Sequence, residues 1–142
     1  MKKPTKPVPK MSGATMPPGE YFVGDLYYAL TDEEWSDICE AGIVEDTIPN
    51  RGGVYEIVSP DTGETIRFAL YRTCHGDGTF EDNEGNSYDV DLGGIGCILR
   101  SKARGHNIAG GAIVTFDDEF STGYDAGVIQ IGRILIQTDD EL

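Results

Sequence analysis

Cysteine is scarce in this 142-residue chain. Cys39, Cys74 and Cys97 are an odd number with no CxxC pair, which argues against a disulfide framework and offers no zinc-ligand spacing. Cys39 and Cys97 sit in apolar surroundings and read as small core residues, and the pattern suits a reducing, cytoplasmic setting. Long apolar runs are missing too. No stretch approaches the ~20 apolar residues of a spanning helix, so no membrane partner is expected. The first ten residues, MKKPTKPVPK, are charged with no apolar stretch behind them, so no secretory signal is expected. Basic residues are few. Eleven Lys+Arg stand against 25 Asp+Glu, a net charge of -14, which disfavours nonspecific contact with nucleic acid or anionic membrane. Phosphate-binding motifs are absent as well. Gly93-Gly94-Ile95-Gly96 and Ala109-Gly110-Gly111-Ala112 match neither the Walker pattern nor the dinucleotide fingerprint. They read as bulges or tight corners of a curved sheet, and no cofactor is expected.

What is present begins with a length that suits one domain burying roughly 68–70% of its unfolded surface. The charge is uneven. Residues 1–19 hold Lys2, Lys3, Lys6 and Lys10, five prolines and no acid, an arm of +4, whereas residues 20–142 carry -18. A short basic Pro-rich segment cannot bury enough surface to fold alone. It is expected to be flexible, or to dock on the acidic body of its own chain or of a neighbour. The body is then a single β-rich domain over 20–142.

Ordered structure should begin at Tyr21. Tyr21-Phe22-Val23 and Leu26 to Leu30 have strand composition, interrupted by Gly24-Asp25. One helix is well signalled from Asp32 to Ala41. Thr31 is the N-cap, Glu34 completes a capping box, and Asp32, Glu33 and Glu34 favour the positive end of the dipole. Trp35, Ile38 and Cys39 make one apolar face. Gly42 supplies a left-handed stop, with Ile43 closing back on Ile38. A loop with Pro49-Asn50-Arg51-Gly52-Gly53 follows, and then β structure. Strands over 54–58 and 65–71 flank a turn at Ser59 to Glu64. In the second of these, Ile66, Phe68 and Leu70 alternate with Arg67, Ala69 and Tyr71, which predicts one buried face. Asn83-Glu84-Gly85 suits a three-residue hairpin loop. The register then sets Glu81 opposite Ser87, Phe80 opposite Tyr88 and Thr79 opposite Asp89, with an aromatic pair on one face.

Residues 79–99 also echo 115–135 without gaps. Thr79, Phe80, Asp82, Tyr88, Asp89, Ile95, Gly96, Ile98 and Leu99 find identical residues 36 positions on. Shared β packing explains this as readily as duplication, and two copies are too few for a solenoid.

The candidate site is the stretch Thr73-Cys74-His75-Gly76-Asp77-Gly78 with Asp25, Asp89 and Asp91. Two glycines around Asp77 let the chain turn tightly and present the carboxylate. Such a group of carboxylates and carbonyls suits a ligand or a calcium ion, although the EF-hand spacing is missing and no metal site is assigned. A solvated turn, its aspartates bonded to their own backbone, gives the same sequence. Cys74 and His75 are chain neighbours, which on an extended segment point apart and do not form a catalytic pair. His106 stands in another segment. Arg100, Lys102 and Arg104 are the dense basic group of the body, read as a solvated strand end or a phosphate contact.

Two blocks carry a family resemblance. Gly19-Glu20-Tyr21-Phe22-Val23-Gly24-Asp25 with Tyr28, Leu30 and Trp35 is similar to a G-x-Y-x-x-G-D-P-C-Y-x-L block followed by a helical Trp. The run from Thr73 to Gly85, then Tyr88, Val90, Asp91, Gly93, Ile95 and Gly96, is similar to a G-D-G-x-Y-x-D-x-x-G-x-x-Y-x-V-D block. Together they resemble a widespread family of small uncharacterised phage and bacterial proteins, over about residues 19–98. Leu26-Tyr27 stand where that family has Pro-Cys, His75 where it has Tyr, and Gly94 is an extra residue. The resemblance implies a phage setting and no particular activity.

These observations give an α+β, β-dominated fold: a curved antiparallel sheet or partly open barrel with one short helix. Functionally they point to a non-enzymatic phage-type accessory protein that binds a host protein or small ligand, for instance to blunt a defence system. The acidic body either serves solubility or imitates a nucleic-acid backbone to block a basic groove. Two alternatives stand beside it. One is a virion component assembling into a homo-oligomer through the arm. The other is a small metal-dependent hydrolase using Asp25, Asp77 and Asp91.

Overall fold

Asp25 decides the first departure from a plain β reading. The computed structural model describes residues 8–11, 13–74, 76–105 and 110–138. Strand β1 (Gly19–Gly24) runs into Asp25, whose carboxylate accepts a hydrogen bond from the Tyr27 amide and caps a single helical turn, α1 (Leu26–Ala29). The aromatic run at 26–30 is therefore helix and turn, not strand. Helix α2 (Asp32–Glu40) follows with the expected capping box: Thr31 Oγ1 accepts from the Glu34 amide, and Glu34 accepts from the Thr31 amide. Gly42 sits at φ 79° and opens a third helix, α3 (Ile43–Asn50), where a loop was expected. Ile38 and Ile43 join the same buried cluster. The expected single helix is thus three.

The remaining elements are β2 (Gly52–Val58), β3 (Thr65–Arg72), β4 (Gly78–Asp82), β5 (Ser87–Val90), β6 (Gly94–Leu99), β7 (Ala112–Phe116), β8 (Thr122–Asp125), β9 (Val128–Ile131) and β10 (Ile134–Gln137). They form two antiparallel five-stranded sheets, in the orders β2-β3-β6-β1-β7 and β5-β4-β10-β9-β8. Neither sheet closes into a barrel. The fold is α+β and β-dominated, in three layers: helices, first sheet, second sheet.

Two cores follow from that layering. Between the sheets lie Tyr21, Val23, Ala69, Tyr71, Ile95, Cys97, Val114 and Phe116 from the first, and Tyr88, Val90, Ile129, Ile131, Ile134 and Ile136 from the second. Between the first sheet and the helices lie Phe22, Phe68, Leu70 and Ile98 with Leu26, Leu30, Ile38 and Ile43. Fully burying each Val, Leu, Ile or Phe among them is worth about 1.5–3 kcal/mol, so the first sheet gains from both faces. β3 accordingly buries both of its faces. Ala69 and Tyr71, expected outside, are covered by the second sheet. Gly96 lies where β6 meets β3 and α1: a Cβ there would stand 1.9 Å from the Ala69 carbonyl oxygen. Cys97 is buried as expected, but Cys39 is exposed. The buried stripe of α2 is Glu34 and Ile38, which turns Cys39 to the rim.

The β4–β5 hairpin has the expected register, Thr79↔Asp89, Phe80↔Tyr88 and Glu81↔Ser87, with Gly85 at φ 90°. The 36-residue echo does not map onto equivalent places. Phe80 and Tyr88 pair within the second sheet, whereas Phe116 lies in the first and Tyr124 in the second. Ile95 belongs to the first sheet and its counterpart Ile131 to the second. That distribution favours shared packing chemistry.

The described part of the arm lies on its own chain. The Met11 amide donates to the Val54 carbonyl, and Met16 and Phe120 exchange two backbone hydrogen bonds of 2.8 and 3.0 Å. Lys10 stands 3.4 Å from Asp46, and Arg67 donates to the Thr15 carbonyl. Met16 is buried in the inter-sheet core. The segment crosses from the β2 edge of the first sheet to the approach to β8 in the second.

Candidate functional site

The end of β3 is where most of the sequence-selected residues gather. Arg72 pairs across to Gly94 at the start of β6, and the Thr73 amide donates to the Gly93 carbonyl at 3.0 Å. Thr73 is buried, and its hydroxyl donates to the Gly76 carbonyl at 2.5 Å. Its role is to close the loop on itself. The Cys74 amide donates to Thr138 Oγ1, and Cys74 Sγ lies 3.0 Å from the Tyr124 hydroxyl. That contact, ahead of burial, raises the Tyr124 pKa. His75 and His106 lie outside the described residues.

Asp25 is the most constrained of the set. It is 2% exposed. One carboxylate oxygen takes the Tyr27 amide at 3.1 Å, and the other takes the Asp91 and Leu92 amides at 2.8 and 3.0 Å. It therefore fastens α1 to the turn between β5 and β6. Burial pushes its pKa up, and the three amide donors oppose that rise without cancelling it. Asp77, Asp89 and Asp91 are exposed. Asp89 accepts from Thr79 Oγ1 across the hairpin at 3.2 Å, and Asp91 meets Asp25 through its amide, not its carboxylate. Asp25, Thr73 and Asp91 thus come together around the 91–93 turn, as hydrogen-bonded backbone holders. Among the described residues, no group of three His, Cys, Asp or Glu side chains is placed to hold a metal ion.

Two polar assemblies escaped the sequence reading. The first is centred on Glu34, fully buried, which accepts from Ser59 Oγ at 2.5 Å and from Arg104 Nη2 at 2.7 Å. Burial pushes the Glu34 carboxyl up, but the bonds from Ser59, the Thr31 amide and Arg104 outweigh it, so its pKa lies below the usual value. Lys102 pairs with Glu64 at 2.9 Å. Two of the three basic residues at 100–104 are therefore neutralised by carboxylates and clamp the β2–β3 turn onto α2.

The second is a recess behind Arg72, lined by Asp25, Trp35, Val44, Thr47, Leu70, Leu92, Gly93 and Gly94. Arg72 is part of that lining, and its Nε is buried without a hydrogen-bond partner among the described residues. Above it stands the helical layer. Asp32, Glu33, Glu40 and Glu45 are exposed and Asp37 half-buried, and none of them enters an ion pair among the described residues. Glu33, Asp37 and Glu40 recur at helical spacing and form one stripe. Some apolar side chains are exposed as well: Ile48 of α3 is 56% exposed and Leu92 of the β5–β6 turn 43%, and half-buried Trp35, on the side of α2 away from that stripe, meets Tyr27 edge-on at 5.8 Å. The acids were legible at 32–34, 37, 40 and 45. Their common layer was not, because α3 had been read as loop.

No protein-family model, no curated protein and no solved structure matches the chain.

Proposed function

We propose that this is a non-enzymatic binding protein that docks a basic surface of a host protein onto its acidic helical layer. The carrying observation is the stripe Glu33–Asp37–Glu40 with Glu45, exposed or half-buried and in no ion pair among the described residues. Carboxylates held on a rigid helix steer a cationic partner and fix its register. Exposed Ile48 of α3, in the same helical layer, supplies apolar area that makes such an encounter last. The chemistry at Asp25 and Thr73 supports the non-enzymatic part: their side-chain oxygens hold the local backbone together. The phage-accessory setting rests on the resemblance of the two sequence blocks, and a cytoplasmic host protein is the partner that setting supplies.

The test compares full-length protein with the triple variant Glu33→Lys, Asp37→Lys, Glu40→Lys in affinity capture from a bacterial host lysate. The expected result is a basic protein retained by the unaltered chain, released by salt, and held about tenfold or more less tightly by the variant. Both proteins should melt within a few degrees of each other, since these side chains make no ion pair among the described residues and the dipole effects of Glu33→Lys and Glu40→Lys, at opposite ends of α2, oppose each other. Equal capture by the two, or a captured partner without a basic surface, would overturn the proposal.

A further inference from the structure

The recess behind Arg72 has a volume of about 10 Å³, the size that admits a single water molecule, on the order of 10–15 Å³. Arg72 is part of its wall, and the Nε of that side chain is a cationic donor, buried with no partner among the described residues. The wall also carries acceptors. Asp25 uses its two oxygens for three amide donors, and a carboxylate offers about four acceptor positions. The Thr47 hydroxyl spends its proton on the Val44 carbonyl at 2.6 Å, so what it has left is acceptor capacity.

We infer that the recess is a binding site for one ordered water, which accepts a hydrogen bond from Arg72 Nε and donates to the acceptor oxygens of the wall. The other small occupants fit the chemistry less well. An anion would satisfy Arg72 but face the Asp25 carboxylate. A metal cation would suit Asp25 but face the guanidinium. A neutral molecule that both donates and accepts satisfies both sides, and the volume matches one water. Such a water joins the end of β3, the Asp25 anchor of the 91–93 turn and α3 through Thr47. It therefore sits beneath the helical layer as part of its support.

The full-length protein and an Arg72→Met variant can be compared by oxygen-17 magnetic relaxation dispersion, which counts long-lived internal waters. The expected result is a dispersion amplitude smaller by one water in Arg72→Met. A high-resolution crystal structure of the unaltered protein should show a single peak within hydrogen-bond distance of Arg72 Nε. Equal amplitudes would overturn the inference, as would a crystal structure with Nε bonded to a protein group. So would a peak whose anomalous signal identifies chloride. Should Arg72→Met fail to fold, the crystal structure decides alone.

Discussion

Replacing Glu34 tests whether the buried carboxylate holds the helical layer to the sheet. Glu34 accepts from Ser59, from the Thr31 amide and from Arg104, and it is fully buried. Glu34→Gln keeps the shape and the capping box, since Gln serves at that position. It loses the charge that strengthens the Arg104 and Ser59 bonds, for an expected cost of about 1.5–3 kcal/mol. Glu34→Ala loses the box as well and leaves Ser59, the Thr31 amide and Arg104 without their acceptor. Breaking a buried pair costs about 3–5 kcal/mol. Arg104 is 31% exposed at its side chain and can turn to water, which puts the expectation near the low end, about 3 kcal/mol. Against a total stability of about 5–15 kcal/mol that is a large fraction. Urea denaturation at neutral pH measures it, and a cycle with Arg104→Ala isolates the pair. The pH profile supplies an independent check. The folded pKa of Glu34 is lowered, so its contribution is present above the unfolded value of about 4.5 and lost as pH falls through the folded value. Glu34→Gln should flatten that part of the profile. A loss below about 1 kcal/mol in Glu34→Ala, or an unchanged acid limb in Glu34→Gln, would refute the reasoning.

Asp25 has the opposite sign. Its folded pKa is raised, so the folded chain binds the proton more tightly and stability falls as pH rises from about 3.8 through the folded value. Asp25→Asn should remove that dependence and leave at least one amide of Tyr27, Asp91 or Leu92 unsatisfied, costing about 1–3 kcal/mol at pH 7 in a denaturant titration. Two glycines separate backbone strain from collision. Gly85→Ala meets nothing within 4 Å at φ 90° and should cost only about 1–2 kcal/mol. Gly96→Ala meets the Ala69 carbonyl oxygen and should cost upwards of about 3 kcal/mol or prevent folding, read by thermal melts of both proteins. In the arm, Met16→Ala removes a side chain buried at 1% exposure and should cost about 2–4 kcal/mol by urea titration. A neutral outcome there would mean that the arm is not part of the core.

Local chemistry was legible and tertiary covering was not. The Thr31–Glu34 box and the Asn83–Gly85 hairpin are encoded within a few residues, and both form with the expected partners. Leu26 to Leu30 misled because an aromatic-aliphatic run carries no period, and the capping oxygen of Asp25 is what turns it helical. Ile43–Asn50 was hidden by the turn residues Pro49 and Asn50, although the chain reverses only at Arg51, at φ 67°. Ala69 and Tyr71 gave no sign of burial, because the strands that cover them come from the second half of the sequence. The same reason explains the site. Thr73 and Asp91 were named together from the loop and the hairpin register, whereas no spacing in the sequence joined Asp25 to them. Arg72, Trp35 and Thr47 meet only once three helices have packed on the sheet.

The strand order of the first sheet bears on how the chain is born. β1 pairs with β6 and β7, so Tyr21, Phe22 and Val23 are synthesised some 70 to 95 residues before the strands that flank them. The arm waits longer still, since Met16 closes on Phe120. On a ribosome adding about 5–20 residues per second, that interval is several seconds during which an apolar strand has neither neighbour. Non-local pairing of this kind folds late. Most of the molecule must therefore leave the exit tunnel before its first strand can be enclosed, and a holding chaperone is most useful in that window.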